Sequence, residues 1–247
     1  MPRFFVESDA VSDGVAHISG ADARHIARAL RMAVGEQITV CSPDGTEYVC
    51  RLSHIRDDEV TAEVTESRRG ENESPVRIRL YVAYPKGDKL ELVVQKATEL
   101  GVASVTPYLS ERCVRRPKPE RIAGETERLS RIAAEAAKQS GRSALPTVSA
   151  PLSYGEMLCE AAASELALFC YEGKGVEQLS LILGKHPEAR ELAVIVGPEG
   201  GFSDKEAEAA REAGCLLCGL GRRILRCETA PLFALAGISV LLELPRL

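Results

Sequence analysis

No stretch of the 247-residue chain is long and apolar enough to span a bilayer. The longest candidate, PLFALAGISVLLELP, falls short of the roughly 18 consecutive apolar residues that a spanning helix needs, and it reads as a buried helix. The opening MPRFFVESD lacks a basic region followed by an apolar core, so no signal peptide is expected and the protein is expected in the cytoplasm. A disulfide framework is also missing. The eight cysteines are irregularly spaced, and Cys50, Cys170, Cys215 and Cys218 lie inside apolar runs, as reduced core thiols do. Cys215 and Cys218 match CxxC, yet no second CxxC and no closely spaced histidine pair completes a tetrahedral zinc site. Strand packing is therefore the reading for that pair, and no metal is expected. A basic excess is lacking too: the net charge is −5, which by itself argues weakly against a nucleic-acid partner.

The distribution of charge argues the other way. Residues 112–142 hold nine basic side chains against four glutamates: Arg112, Arg115, Arg116, Lys118, Arg121, Arg128, Arg131, Lys138 and Arg142. A local basic patch in an acidic chain is the footprint of phosphate binding, although a solvated helix face also collects charge. In ADARHIARALRM, Arg24, Arg28 and Arg31 fall at i, i+4 and i+7 on one helical face, with no acidic partner at helical spacing.

Two regions follow from periodicity. Up to about residue 70 the chain reads as short strands (RFFV, VAHIS, EQITVCS, TEYVCRLSHI, EVTAEVTES) with SPDGT as a turn, a small β-barrel-like domain. RRGENESP is the best boundary, giving domains 1–72 and 73–247. Beyond it strands alternate with amphipathic helices, which predicts an α/β domain with a mostly parallel sheet and helices on both faces. Asp88 with Glu91 and Ser203 with Glu206 are expected to form capping boxes, and Gly101, Gly141 and Gly214 to end helices. Ligands of such sheets bind at the carboxyl ends of strands, where YEGKG, GPEGGFS and LGRRILRCETA lie.

The turn VGPEGGFS is glycine-rich but lacks the lysine and hydroxyl of a phosphate loop and the full GxGxxG of a dinucleotide fold. It carries Glu199 instead, whose charge would repel phosphate, so a neutral or cationic ligand fits it better. LGRRILRCETA places Arg222, Arg223 and Arg226 between an apolar strand and an apolar helix, which favours a site over a plain surface cluster.

VGPEGGFSDKE together with LGRRILRCETA resembles the signature of the RsmE-type methyltransferases, the 16S ribosomal RNA uridine-N3 methyltransferases of the SPOUT superfamily. RFFV, RHIARALRM, PKGDKLELVVQKATELGV and AAEAAKQSGR extend the resemblance in order along nearly the whole chain. The resemblance implies a PUA-like N-terminal RNA-binding domain, a C-terminal SPOUT domain with a deep trefoil knot, a homodimer, and S-adenosylmethionine as methyl donor. Carried onto this chain, the donor loops are Cys170, Tyr171, Glu172 and Gly173; Val196, Gly197, Pro198, Glu199, Gly200 and Gly201; and Leu220, Gly221, Arg223, Ile224, Leu225, Thr229 and Ala230. Loss of the imide proton from uridine N3 calls for a proton acceptor, Glu199 or Glu228, and a cationic stabiliser, Arg223 or Arg226. The expected RNA contacts are Arg3, Arg24, Arg28, Arg31, Arg112, Arg115, Arg116, Lys138, Gln139 and Arg142, with 16S rRNA or the small subunit as partner. Helix capping is the competing reading of Gln139, Ser140 and Arg142. Another SPOUT substrate in rRNA or tRNA, or a non-catalytic ribosome-assembly role, remains the alternative to this function.

Overall fold

The structure, a computed structural model, describes residues 1–244. They divide into two compact units, one made of Met1–Glu73 with Ala137–Leu145, the other of Ser74–Ala136 with the chain from Pro146 onward.

In the first unit the alternating segments form β1 (Arg3–Phe5), β2 (Val11–Ser12), β3 (Val15–Ser19), β4 (Gln37–Cys41), β5 (Thr46–Ile55) and β6 (Glu59–Arg69). Their order is β1-β4-β5-β6-β3-β2. Only the β1–β4 pairing is parallel. Period-two alternation turns Phe4, Ile18, Ile38, Val40, Leu52 and Val60 into one core. The SPDGT turn forms as its chemistry dictates: Gly45 takes φ +82° and its N–H donates to Ser42 O at 3.0 Å, while Asp44 accepts from the Thr46 N–H. The expected barrel is not closed by hydrogen bonds, since β1 and β2 do not pair with each other among the described residues.

The helical insertion departs from expectation. Helix α1 (Gly20–Arg24) runs directly into a π-turn at His25–Ala29, where the Leu30 N–H donates to His25 O at 2.9 Å. Bonding five residues back widens the turn and breaks the 3.6-residue period. Arg31, at φ +53°, then lies beyond the helix on which the stripe was predicted.

The second unit alternates as predicted: β7 (Arg77–Ala83), α2 (Lys89–Glu99), β8 (Ser104–Leu109), α3 (Pro119–Ser140, its last turn belonging to the first unit), β9 (Thr147–Val148), β10 (Leu152–Ser153), α4 (Tyr154–Ala162), β11 (Leu166–Cys170), β12 (Glu177–Gln178), α5 (Leu179–Lys185), β13 (Glu191–Val196), α6 (Asp204–Glu212), β14 (Leu216–Gly219) and α7 (Thr229–Ile238). The sheet order is β10-β8-β7-β13-β11-β14-β12, with β9 on β8, and all of these pairings are parallel. Strand β11, residues 80–83 of β7 and residues 192–196 of β13 form near-continuous apolar runs, as strands covered on both faces do. Cys215 and Cys218 are buried in or beside β14 as free thiols, as the packing reading expects.

Ser203 and Glu206 form the predicted capping box at the start of α6. Gly101 and Gly214 lie just past α2 and α6 at φ +82° and +91°. The Asp88–Glu91 box does not form: Asp88 makes no side-chain cap bond, and Glu91 instead takes a bond from Arg128 at 2.9 Å. The C-terminal apolar helix also differs from its expectation. Helix α7 continues as a π-turn at Ser239–Glu243; it buries Ala234, Leu235, Ile238 and Leu242 but leaves Phe233, Val240 and Leu241 exposed. Pro245, the last residue of the predicted segment, lies outside the described residues.

Candidate functional site

Strands β13, β11 and β14 are neighbours and run parallel, so the loops after them gather at one edge of the sheet. They enclose a cavity of about 400 Å³, within the roughly 300–1,000 Å³ of small-molecule sites. Its walls are Cys170 at the end of β11 with Tyr171 and Glu172 beyond it; Val196 at the end of β13 with Gly197 to Glu199, Gly201 and Phe202 beyond it; and Leu220, Gly221, Arg223 to Cys227 and Ala230 after β14, with Lys89 from the start of α2.

The glycines here have specific jobs. The Gly201 N–H donates to Pro198 O at 2.9 Å, closing a turn in which Gly201 takes φ +64°. A Cβ on Gly197 would stand 2.9 Å from the Phe202 ring, which stacks on Phe169 at a centroid distance of 4.0 Å. The Tyr171 hydroxyl donates to Asp204 at 2.8 Å, fixing its ring against the Cys170–Gly173 loop.

The structure thus gathers most of the residues assigned to the donor loops. Three fall outside the lining: Gly173 is packed under the Tyr171 ring, Gly200 is exposed and accepts from the Arg112 guanidinium through its carbonyl at 3.0 Å, and Thr229 is exposed at the start of α7. Ile224 was expected as an apolar wall; it reaches the cavity but is 81% exposed. Lys89, Phe202 and Cys227 were missed as lining. Lys89 lay in the quoted PKGDKLE block, but the block alone does not reveal where its side chain points.

The electrostatic centre of the cavity is Lys89. Its Nζ donates to Glu199 Oε1 at 3.0 Å and lies 3.5 Å from Glu228 Oε2. Glu199 Oε1 also accepts from the Lys86 backbone N–H at 3.0 Å. Burial pushes the Glu199 carboxyl up, but the Lys86 N–H and the Lys89 ammonium outweigh it and leave its pKa lowered. Glu228 follows the same pattern, with burial opposed by its own backbone N–H, the Cys227 thiol and Lys89. Both carboxylates are therefore ionised at neutral pH. The Cys227 thiol, pushed up to about 12 mainly by burial, stays protonated and donates to Glu228 Oε2 at 3.3 Å. Glu228 Oε1 lies 4.0 Å from Arg226. Arg223 and Arg226 are exposed at the rim.

An RNA methyltransferase domain family matches residues 72–239, and an RNA methyltransferase PUA domain family matches residues 18–65. Ribosomal RNA small subunit methyltransferase E of Bacillus subtilis is 36% identical over all of this chain and 99% of its own length. The chain belongs to this methyltransferase family. Its member from Synechocystis is 34% identical over 98% of this chain and 78% of its own length. A crystal structure of the Neisseria gonorrhoeae member bound to S-adenosyl methionine is 33% identical and superposes with a TM-score of 0.86 over 98% of both chains.

Against this family background the basic residues sort by burial. In the first unit Arg24, Arg28, Arg31 and Gln139 are exposed, although Arg28 is ion-paired with Asp57, a partner that helical spacing could not reveal. Arg3, Lys138 and Arg142 face inward instead of presenting a free surface. Arg3 pairs with Glu47 and donates to Cys41 Sγ; Lys138 pairs with Asp22 at 2.7 Å and lies over the Phe4 ring; Arg142, 5% exposed, bonds Glu73 at 2.6 Å. These three cations are held by buried or half-buried carboxylates, which a free phosphate contact would have to displace. In the second unit Arg112 and Arg116 are exposed, Arg112 with its tip on Gly200 O. Arg115 stacks over Tyr84 and bonds Glu125 at 3.0 Å.

Proposed function

We propose that this chain methylates N3 of a uridine in 16S rRNA of the small ribosomal subunit, with S-adenosylmethionine as donor. The observation that carries the reading is the cavity itself, walled by three loops at the carboxyl edge of a parallel sheet and lined by apolar groups and glycine backbone. Its shape suits the adenosine of the donor: Val196, Phe202, Leu220, Leu225 and Ala230 supply apolar walls, and the backbone at Gly197, Gly201 and Gly221 leaves room for close approach. When bound, the donor supplies an electrophilic methyl on a sulfonium.

The chain's own contribution is to align the acceptor nitrogen with that methyl and to exclude water. Arg223 and Arg226, at the rim, stabilise the negative charge that spreads over O2 and O4 as the imide proton leaves. Glu199 and Glu228, each with one oxygen beside the Lys89 ammonium, are the two candidate acceptors of that proton. Arg24, Arg31, Arg112 and Arg116 hold RNA phosphates, so binding weakens as salt rises.

Three further features complete the proposal: a 1–72 PUA-like and a 73–247 SPOUT division, a trefoil knot threaded by the segments after β13 and β14, and a cytoplasmic homodimer. The exposed apolar side chains of Phe233, on α7, and of Val240 and Leu241, on the π-turn that continues it, support the dimer. Calorimetry with S-adenosylmethionine, paired with turnover of the Arg223→Ala variant, tests the function. The expected result is donor binding by both proteins and a turnover loss of about 10²-fold in the variant, as when a charge-stabilising donor is removed. Absence of donor heat in the wild-type chain would favour a non-catalytic RNA-binding role.

A further inference from the structure

Helix α2 begins with a cation where its macrodipole disfavours one: Lys89 is the first residue of Lys89–Glu99, and Asp88 before it makes no side-chain cap. A local rule broken at an element's end needs a compensating gain elsewhere. Here the gain lies across the cavity, where Lys89 Nζ meets Glu199 of the loop after β13 at 3.0 Å and Glu228 of the loop after β14 at 3.5 Å. Two carboxylates from separate loops share one ammonium, and without it they would face each other as like charges. The Lys86 N–H adds a second bond from the same segment to Glu199. Arg226 cannot replace the ammonium, because its side chain is 84% exposed and comes no closer than 4.0 Å to Glu228.

We infer that Lys89 is a positioning residue that clamps the two loops of the donor cavity together through Glu199 and Glu228. This rests on the donor reading given above for what the cavity holds, but the clamp itself is a property of the loops. Removing the ammonium lets the loops part, so the donor has to close them at the expense of its own affinity.

Lys89→Met, Lys89→Arg and the Glu199→Gln/Glu228→Gln pair, each also combined with Lys89→Met, provide the test. Lys89→Met is expected to raise the donor KM and Kd about tenfold, the size of an ordinary coupling between contacting groups. Lys89→Arg is expected to recover most of the loss. Amide hydrogen exchange over residues 197–201 and 220–228 is expected to speed up in Lys89→Met and to stay unchanged in β7 and β8. In the Glu199→Gln/Glu228→Gln background, Lys89→Met is expected to add nothing further. Wild-type KM and exchange in Lys89→Met, or an equal additional loss in the double-glutamine background, would overturn the clamp. If the wild-type chain binds no donor, the functional reading fails by that result, while the exchange measurement still decides on the clamp.

Discussion

Glu47 is 2% exposed and accepts from Arg3, from the Ser143 hydroxyl at 2.6 Å and from Arg68 at 3.2 Å. Burial works to raise its carboxyl, yet the bonds from Arg3 and Ser143 prevail and leave its pKa lowered. A carboxylate whose pKa is lower folded than unfolded adds stability above the unfolded value, roughly 4.3, and that share is lost as pH falls through the folded value. Glu47→Gln strands the Arg3 guanidinium in a half-buried site and is expected to cost about 3 kcal/mol at neutral pH. Urea midpoints from pH 7 down to 3 check this: the gap between wild type and variant should narrow as pH falls, and a constant gap would contradict it. The same network holds Arg3 and Arg142, expected from the sequence to contact RNA, in ion pairs that the sequence does not signal. Their partners Glu47 and Glu73 are 44 and 69 residues away in sequence, and no local pattern reports a pairing at that range.

At the scale of elements, what was legible is what local chemistry fixes. Alternation placed the strands, Ser203 and Glu206 marked the start of α6, and the glycines of the turn Val196 to Phe202 marked a loop that the fold sets in the wall of a cavity. What was not legible depends on competition between elements. Asp88 and Glu91 have the spacing of a capping box, but Arg128 on α3 takes Glu91 away. The arginine stripe assumed an α-period that the π-turn at His25–Ala29 interrupts. Gly197 shows how a loop's backbone serves the site: an added methyl would press on Phe202 at 2.9 Å, and Phe202 is wedged against Phe169. Gly197→Ala is therefore expected to displace Phe202 into the cavity and weaken donor binding about tenfold by calorimetry, with thermal stability lowered by only about 1–3 kcal/mol. Unchanged donor affinity would mean that Phe202 yields elsewhere.

At the scale of the whole molecule, the exposed apolar side chains of α7 and of the π-turn that continues it belong to one unit with the donor cavity. Phe233 and Val240 are 47% and 59% exposed, and apolar groups grouped in this way mark interaction surfaces. Phe233→Asp with Val240→Asp is expected to convert a dimer to a monomer in light scattering; an unchanged mass would remove these residues from the interface. Incubating the chain and labelled S-adenosylmethionine with small subunits from cells that lack the enzyme, then identifying the modified nucleoside by mass spectrometry, tests the proposed reaction. One methyl per subunit, on N3 of a 16S uridine, is expected. Label on another nucleoside, or none on the subunit, would contradict it.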